Sequence, residues 1–184
     1  MTKVEYYTNC RGGPWNNTKG MVSWKILDNV MYFQQSKEEE DWIRNISIMP
    51  TITKIQGKTI FIPIGLSASW DEIKNTVKDN PCDMYVGYSL GGELASLSSA
   101  LTGKPAIAFG CPNFFIGNRA LFDKVEYYQN IEDIFARIPW VYTKGRNVTI
   151  LKGGSFMYPP EFDIIHKLSG HEPILYTHRL GALK

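Results

Sequence analysis

One stretch of this sequence carries residue types suited to covalent chemistry: a serine set between glycines, in Gly87-Tyr88-Ser89-Leu90-Gly91. It lies between an apolar run, DMYVGY, and a run of helix formers and small residues, LGGELASLSSALTG. A serine hydroxyl is a weak nucleophile until a base takes its proton and a carboxylate orients that base. A sharp strand-to-helix turn serves this chemistry well. The glycines let the backbone bend tightly, and the N–H groups that open the helix, Leu90 first among them, are placed to receive an oxyanion. The competing reading of Ser89 is an ordinary helix N-cap.

A base must come from His166, His171 or His178, the only 3 histidines, and all lie downstream of Ser89. The order serine, acid, histidine is therefore the one common triad order open to this chain. His171 follows Ser169-Gly170 and precedes Glu172-Pro173, which places it in a loop and makes it the first candidate. His166, within FDIIHKL, reads as helical and is the alternative base, while His178 reads as a bystander. For the acid, Asp133 in VEYYQNIEDIFARIP follows a strand at once, with Glu132 and Asp163 as substitutes. Its competing reading is a helix cap or a surface carboxylate. Asp163, His166 and His171 have metal-ligand chemistry, but their arrangement does not favour a site, so no metal and no organic cofactor is expected.

The elements around these residues are legible as a pattern. Residues 21–35, MVSWKILDNVMYFQQ, read as two short strands joined by a turn at Asp28-Asn29. SKEEEDWIRNI reads as a helix opened by a capping box at Ser36 and Glu39, and KTIFIPIGL as a strand. SASWDEIKNTVKDN is an amphipathic helix with Trp70, Ile73 and Val77 on one stripe. DMYVGY, PAIAFG and VEYYQN are strands, and the helix after Ser89 closes at Gly103 and Pro105. Residues 1–20 are polar and turn-rich, with RGGPWNN as a loop. Strands alternating with helices predict a mostly parallel central sheet with helices on both faces. Sites in such sheets gather at the C-terminal strand ends, which makes neighbours of Ser89, Gly110 to Pro112 and Asn130 to Asp133.

Composition narrows the function classes. A chain of 184 residues is expected to form a single domain, 1–184. Lys plus Arg number 20 against 18 Asp plus Glu, with no basic stripe, so no nucleic-acid partner is expected. The N-terminus lacks an apolar signal core and no run is long enough to span a membrane, which reads as cytoplasmic; export by a host system would leave no mark here. Cys10, Cys82 and Cys111, an odd count without CxxC spacing, read as free thiols. Nothing in the sequence sets the oligomeric state.

On these residues the chain resembles the class 3 lipases, the fungal-lipase-like group of α/β-hydrolases, from about Val22 to Tyr176. GYSLGGELA resembles the group's elbow, PAIAFGCPNFFIGN its next strand and loop, and YYQNIEDIFARIP its acid segment. YFQQSKEEEDWIRNI is similar to the segment that carries an oxyanion donor and then a lid. The resemblance implies an α/β-hydrolase fold and a catalytic triad of Ser89, Asp133 and His171. It implies an oxyanion hole from Leu90 and Ser36, and a lid over residues 38–46. It also implies a lipase or phospholipase acting on lipid acyl esters, with contact to a membrane surface. The alternatives are an esterase for a non-lipid acyl group and an inactive hydrolase-fold binding protein. Phe33, Trp42, Phe114, Phe115, Phe156 and Tyr158 are the aromatic supply for an acyl groove.

Overall fold

The computed structural model describes residues 1–16, 22–34, 50–111, 116–131, 133, 147–152 and 179–181. Strands β1 (Trp24–Leu27) and β2 (Val30–Phe33) form a hairpin whose turn residues Asp28 and Asn29 have φ of 50° and 61°. Two successive left-handed residues match the right-handed twist of the flanking strands, and Asp and Asn tolerate that conformation best after glycine. Next come β3 (Pro50–Ile55), β4 (Lys58–Pro63), helix α2 (Ile64–Asp79), β5 (Met84–Tyr88) and helix α3 (Leu90–Thr102). They are followed by β6 (Ala106–Phe109), β7 (Ile116–Gly117), a 3₁₀ turn (Arg119–Phe122), β8 (Val125–Asn130) and β9 (Asn147–Leu151).

The main sheet has six strands in the order β1-β2-β5-β6-β8-β9. Only the β1–β2 pairing is antiparallel; every other pairing is parallel. A smaller antiparallel sheet, β3-β4-β7, stands beside it. Side chains alternate across the main sheet as the pleat requires. Met31, Phe33, Tyr85, Ala106, Ala108, Val125 and Tyr127 enter the core shared with α2, α3 and the small sheet. Val30, Tyr32, Val86, Tyr88, Ile107, Phe109 and Tyr128 enter a second core on the other face. The expected mostly parallel α/β sheet with helices packed against it is what forms.

The second core holds an element that the polar, turn-rich reading of residues 1–20 does not contain. Helix α1 (Lys3–Asn9) is opened by a capping box in which the Thr2 side chain accepts from the Glu5 N–H and the Glu5 carboxylate accepts from the Thr2 N–H. Its Tyr7 is buried against the edges of Tyr88 and Phe109, with ring centroids 5.4 Å and 5.2 Å away. A second difference concerns KTIFIPIGL, which is strand only to Pro63; the helix begins at Ile64 rather than at Ser67. An unbroken apolar run does not distinguish strand from helix. Burial does: Leu66, Ser69, Trp70, Ile73 and Val77 are buried at helical spacing, while Ile64 is exposed.

The helix expected over residues 36–46 lies outside the described residues. Cys10, Cys82 and Cys111 are buried free thiols, and burial pushes the thiols of Cys10 and Cys82 up. Among the described residues no helix is long and apolar enough to cross a membrane.

Candidate active site

Strand β5 ends at Tyr88 and α3 starts at Leu90, so the reversal falls on Ser89 alone. Its backbone has φ 55° and ψ −123°, the geometry of the first central residue of a type II′ turn, where glycine is usual. The glycines around it are fixed by close approach. A Cβ on Gly87 would overlap the carbonyl of Gly91, and one on Gly91 would stand 2.5 Å from the carbonyl oxygen of Phe33. Gly92 lets the helix sit on Ala108 and Cys111, with a Cβ there 3.1 Å from that of Cys111. Helix α3 thus rests directly on the sheet, and its residues 90–100 are buried.

Three parallel strands bring the rest of the site to the same edge. The Ser89 N–H donates to the carbonyl of Phe109 at 2.9 Å, and the Gly110 N–H to that of Tyr128 at 2.9 Å. The C-terminal ends of β5, β6 and β8 are therefore tied in sequence. Asp133 lies just past β8, its N–H donating to the Asn130 carbonyl at 3.1 Å, and it is fully buried. With β6 between them, Ser89 and Asp133 leave the sheet about 10 Å apart, two strand spacings. Gln129 and Asn130 are also buried there, and the Gln129 amide donates to the Cys111 carbonyl at 3.3 Å.

Ser89 is 4 % exposed. Leu90 is the first residue of α3, so its N–H is one of the four that an α-helix leaves without an intrahelical acceptor. Strand β2 pairs with β5 in parallel, with Phe33 opposite Gly87. Ser36, His171, His166, His178, Glu132, Asp163 and the proposed lid over 38–46 lie outside the described residues. Of the aromatics considered for an acyl groove, Phe33 is a core residue stacked on Tyr85 with centroids 6.4 Å apart, and does not line an open groove. Trp42, Phe114, Phe115, Phe156 and Tyr158 also lie outside the described residues.

One residue of this region escapes sequence reasoning. Glu93, in the first turn of α3, is completely buried, and among the described residues neither carboxyl oxygen has a hydrogen-bond partner. Burial alone drives its carboxyl well above the usual range. Gly92, Ala95 and Ser96 mark the neighbouring face of the helix as closely packed, and no residue of the sequence marks the side on which Glu93 lies.

No family model matches the chain, and no curated protein does. Solved structures do. Lip2 lipase from Yarrowia lipolytica superposes with a TM-score of 0.53 at 14 % identity, over 77 % of this chain and 65 % of that one. The Rhizomucor miehei lipase–propeptide complex gives a TM-score of 0.43 at 18 % identity, over 65 % of this chain and 47 % of that one. The likeness to Lip2 lipase shows a lipase-like α/β fold, a mostly parallel six-stranded sheet with helices packed against it. The matched part spans just under two-thirds of that lipase.

Proposed function

We propose that this protein is a serine carboxylester hydrolase, a lipase or phospholipase that cleaves lipid acyl esters through an acyl-enzyme. The observation that carries the reading is the backbone of Ser89. A non-glycine residue is held in a turn conformation that favours glycine, at the C-terminal edge of a parallel sheet and at the head of a buried helix. An N-cap needs no such geometry, and Ser89 makes no side-chain capping hydrogen bond.

In this reading Ser89 Oγ attacks the ester carbonyl carbon as His171 takes its proton. Asp133 holds the imidazole by one ring N–H and stabilises the imidazolium. A hydroxyl, an imidazole and a carboxylate joined by two hydrogen bonds fill a gap of about 10 Å between strand ends two apart. The tetrahedral oxyanion is received by the Leu90 N–H and by Ser36, each such donor contributing about 3 kcal/mol to the transition state. The imidazolium then protonates the leaving alcohol oxygen as the acyl-enzyme forms. Water, activated by the same imidazole, releases the acid.

The test is active-serine labelling with a fluorophosphonate, read by intact mass on wild type and Ser89→Ala. One adduct on wild type and none on the variant is expected. A p-nitrophenyl ester series on the wild type should then favour medium or long acyl chains. No adduct on wild type overturns the enzyme reading, and a preference for acetyl overturns the lipid substrate class.

A further inference from the structure

Glu93 is a carboxylic acid in a place where an apolar residue would be more stable. It follows Ser89 by one turn of α3, is 0 % exposed, and among the described residues has no hydrogen-bond partner for either oxygen. Its backbone N–H donates to the Ser89 carbonyl at 3.3 Å, so the two residues share the same helical turn. Helical side chains lean toward the N-terminus, which carries the Glu93 carboxyl back along the turn that presents the Leu90 N–H.

No described charge compensates it. Helix α3 packs on α2, β2, β5, β6 and the 3₁₀ turn at Arg119–Phe122. On α2, Asp71 pairs with Lys74, Glu72 accepts from the Val22 N–H, and Lys78 and Asp79 are exposed. On the 3₁₀ turn, Arg119 and the following Asp123 are exposed. Tyr32 of β2 and Tyr88 of β5 lie on the far side of the sheet, in the second core. Tyr85 of β5 and Cys111 after β6 are buried on the α3 side. Among the described residues, burial is what raises the Glu93 carboxyl.

We propose that Glu93 is a positioning residue of the Ser89 turn, and that the site works only while its carboxyl is neutral. The inference rests on the hydrolase reading above. A carboxylate within about 6 Å of helix rise from Ser89 would oppose the negative charge that develops at the Leu90 N–H during acyl transfer. In a partly desolvated site that opposition is worth tenfold or more in rate. Ionisation also acts on folding. A carboxyl whose folded-state pKa is raised carries no penalty below the ordinary glutamate range, and destabilises progressively as pH rises above about 4.5 toward the folded value. Each pH unit within that window shifts the folded-to-unfolded ratio tenfold toward unfolding.

The experiment compares wild type with Glu93→Gln, which has the same shape and is neutral at every pH. Fluorophosphonate labelling rate at Ser89 and urea unfolding midpoint are both followed from pH 5 to pH 10. Wild type should lose at least tenfold in labelling rate on the alkaline side relative to the variant, and its midpoint should fall relative to the variant over the same range. Should the glutamine protein fail to fold, Glu93→Met takes its place with the same expectation. Parallel pH profiles for both readouts overturn the proposal while leaving the hydrolase reading standing. A midpoint that diverges while labelling rates stay parallel also overturns it, because the buried acid would then act on stability alone. Absence of labelling in both proteins at every pH is the separate result that removes the hydrolase reading, and this inference with it.

Discussion

Replacing Ser89 by glycine should make the protein more stable while removing the proposed nucleophile. The residue occupies φ 55° and ψ −123°. A non-glycine residue held in such a region costs of order 1–3 kcal/mol. Glycine adopts it without strain but brings greater freedom to the unfolded chain, a penalty of about 0.5–1 kcal/mol. The fair comparison is Ser89→Gly against Ser89→Ala, since both lose the hydroxyl and only alanine keeps the strain. The difference should favour glycine by up to about 2.5 kcal/mol, equivalent to up to about 10 °C in Tm for a chain of this size. Urea unfolding followed by tryptophan fluorescence gives the free energies, and fluorophosphonate mass shifts report the nucleophile. Neither variant should label. If the glycine protein is the less stable of the two by about 1 kcal/mol, as in an ordinary helix or strand interior, the turn is unstrained and the reasoning built on it fails.

The approach of Gly91 to β2 is open to a similar test. Gly91→Ala places a Cβ 2.5 Å from the Phe33 carbonyl oxygen, so the helix or the strand must move, at a cost of about 1–3 kcal/mol in denaturant unfolding; a neutral result would mean that the contact relaxes freely. For the base, His171→Ala should reduce ester turnover as severely as Ser89→Ala while His166→Ala has a mild effect, and wild-type turnover should fall below about pH 6–6.5 as the imidazole takes up a proton. Reversed histidine effects would move the base to His166, and a flat acid limb would remove imidazole from the mechanism.

Where local chemistry decided the backbone, the sequence was readable. Asp28-Asn29 supplies two left-handed residues for a two-residue hairpin, and Gly103, with φ 71°, ends α3 where a C-terminal glycine is expected. PAIAFG and VEYYQN read as strands, their alternation with helices predicts a mostly parallel sheet, and β6 and β8 pair in parallel. Where tertiary contacts decided, it was not. Helix α1 has only 7 residues, too few to stand alone in water, and owes its place to Tyr7 docking on Tyr88 and Phe109. The Thr2 to Glu5 capping box was its one local mark. A glutamate inside a helix ordinarily reads as a solvent-facing residue, whereas Glu93 is buried, in a helix that packs on the sheet, α2 and the 3₁₀ turn. Asp133 is a similar case, since its complete burial depends on how the strand ends assemble.

Residues 87–93 gather several unfavourable features of the described structure within one turn. They comprise a serine in a glycine conformation, two glycines on which any side chain would collide with backbone, and a carboxylic acid without a partner. The adjoining strands bury polar atoms too, at Tyr85 of β5 and at Gln129 and Asn130 of β8, while the rest of β2, β5, β6 and β8 divides its side chains between two apolar cores. Simple changes would remove two of the burdens, glycine at 89 and an apolar residue at 93, and neither is present. In natural chains local choices mostly agree with the global fold, and exceptions gather where function needs them. A domain that served only as scaffold would have no use for strain and a buried acid in the same turn. A nucleophile that must stand clear of the sheet edge, beside N–H groups kept free of negative charge, has a use for both.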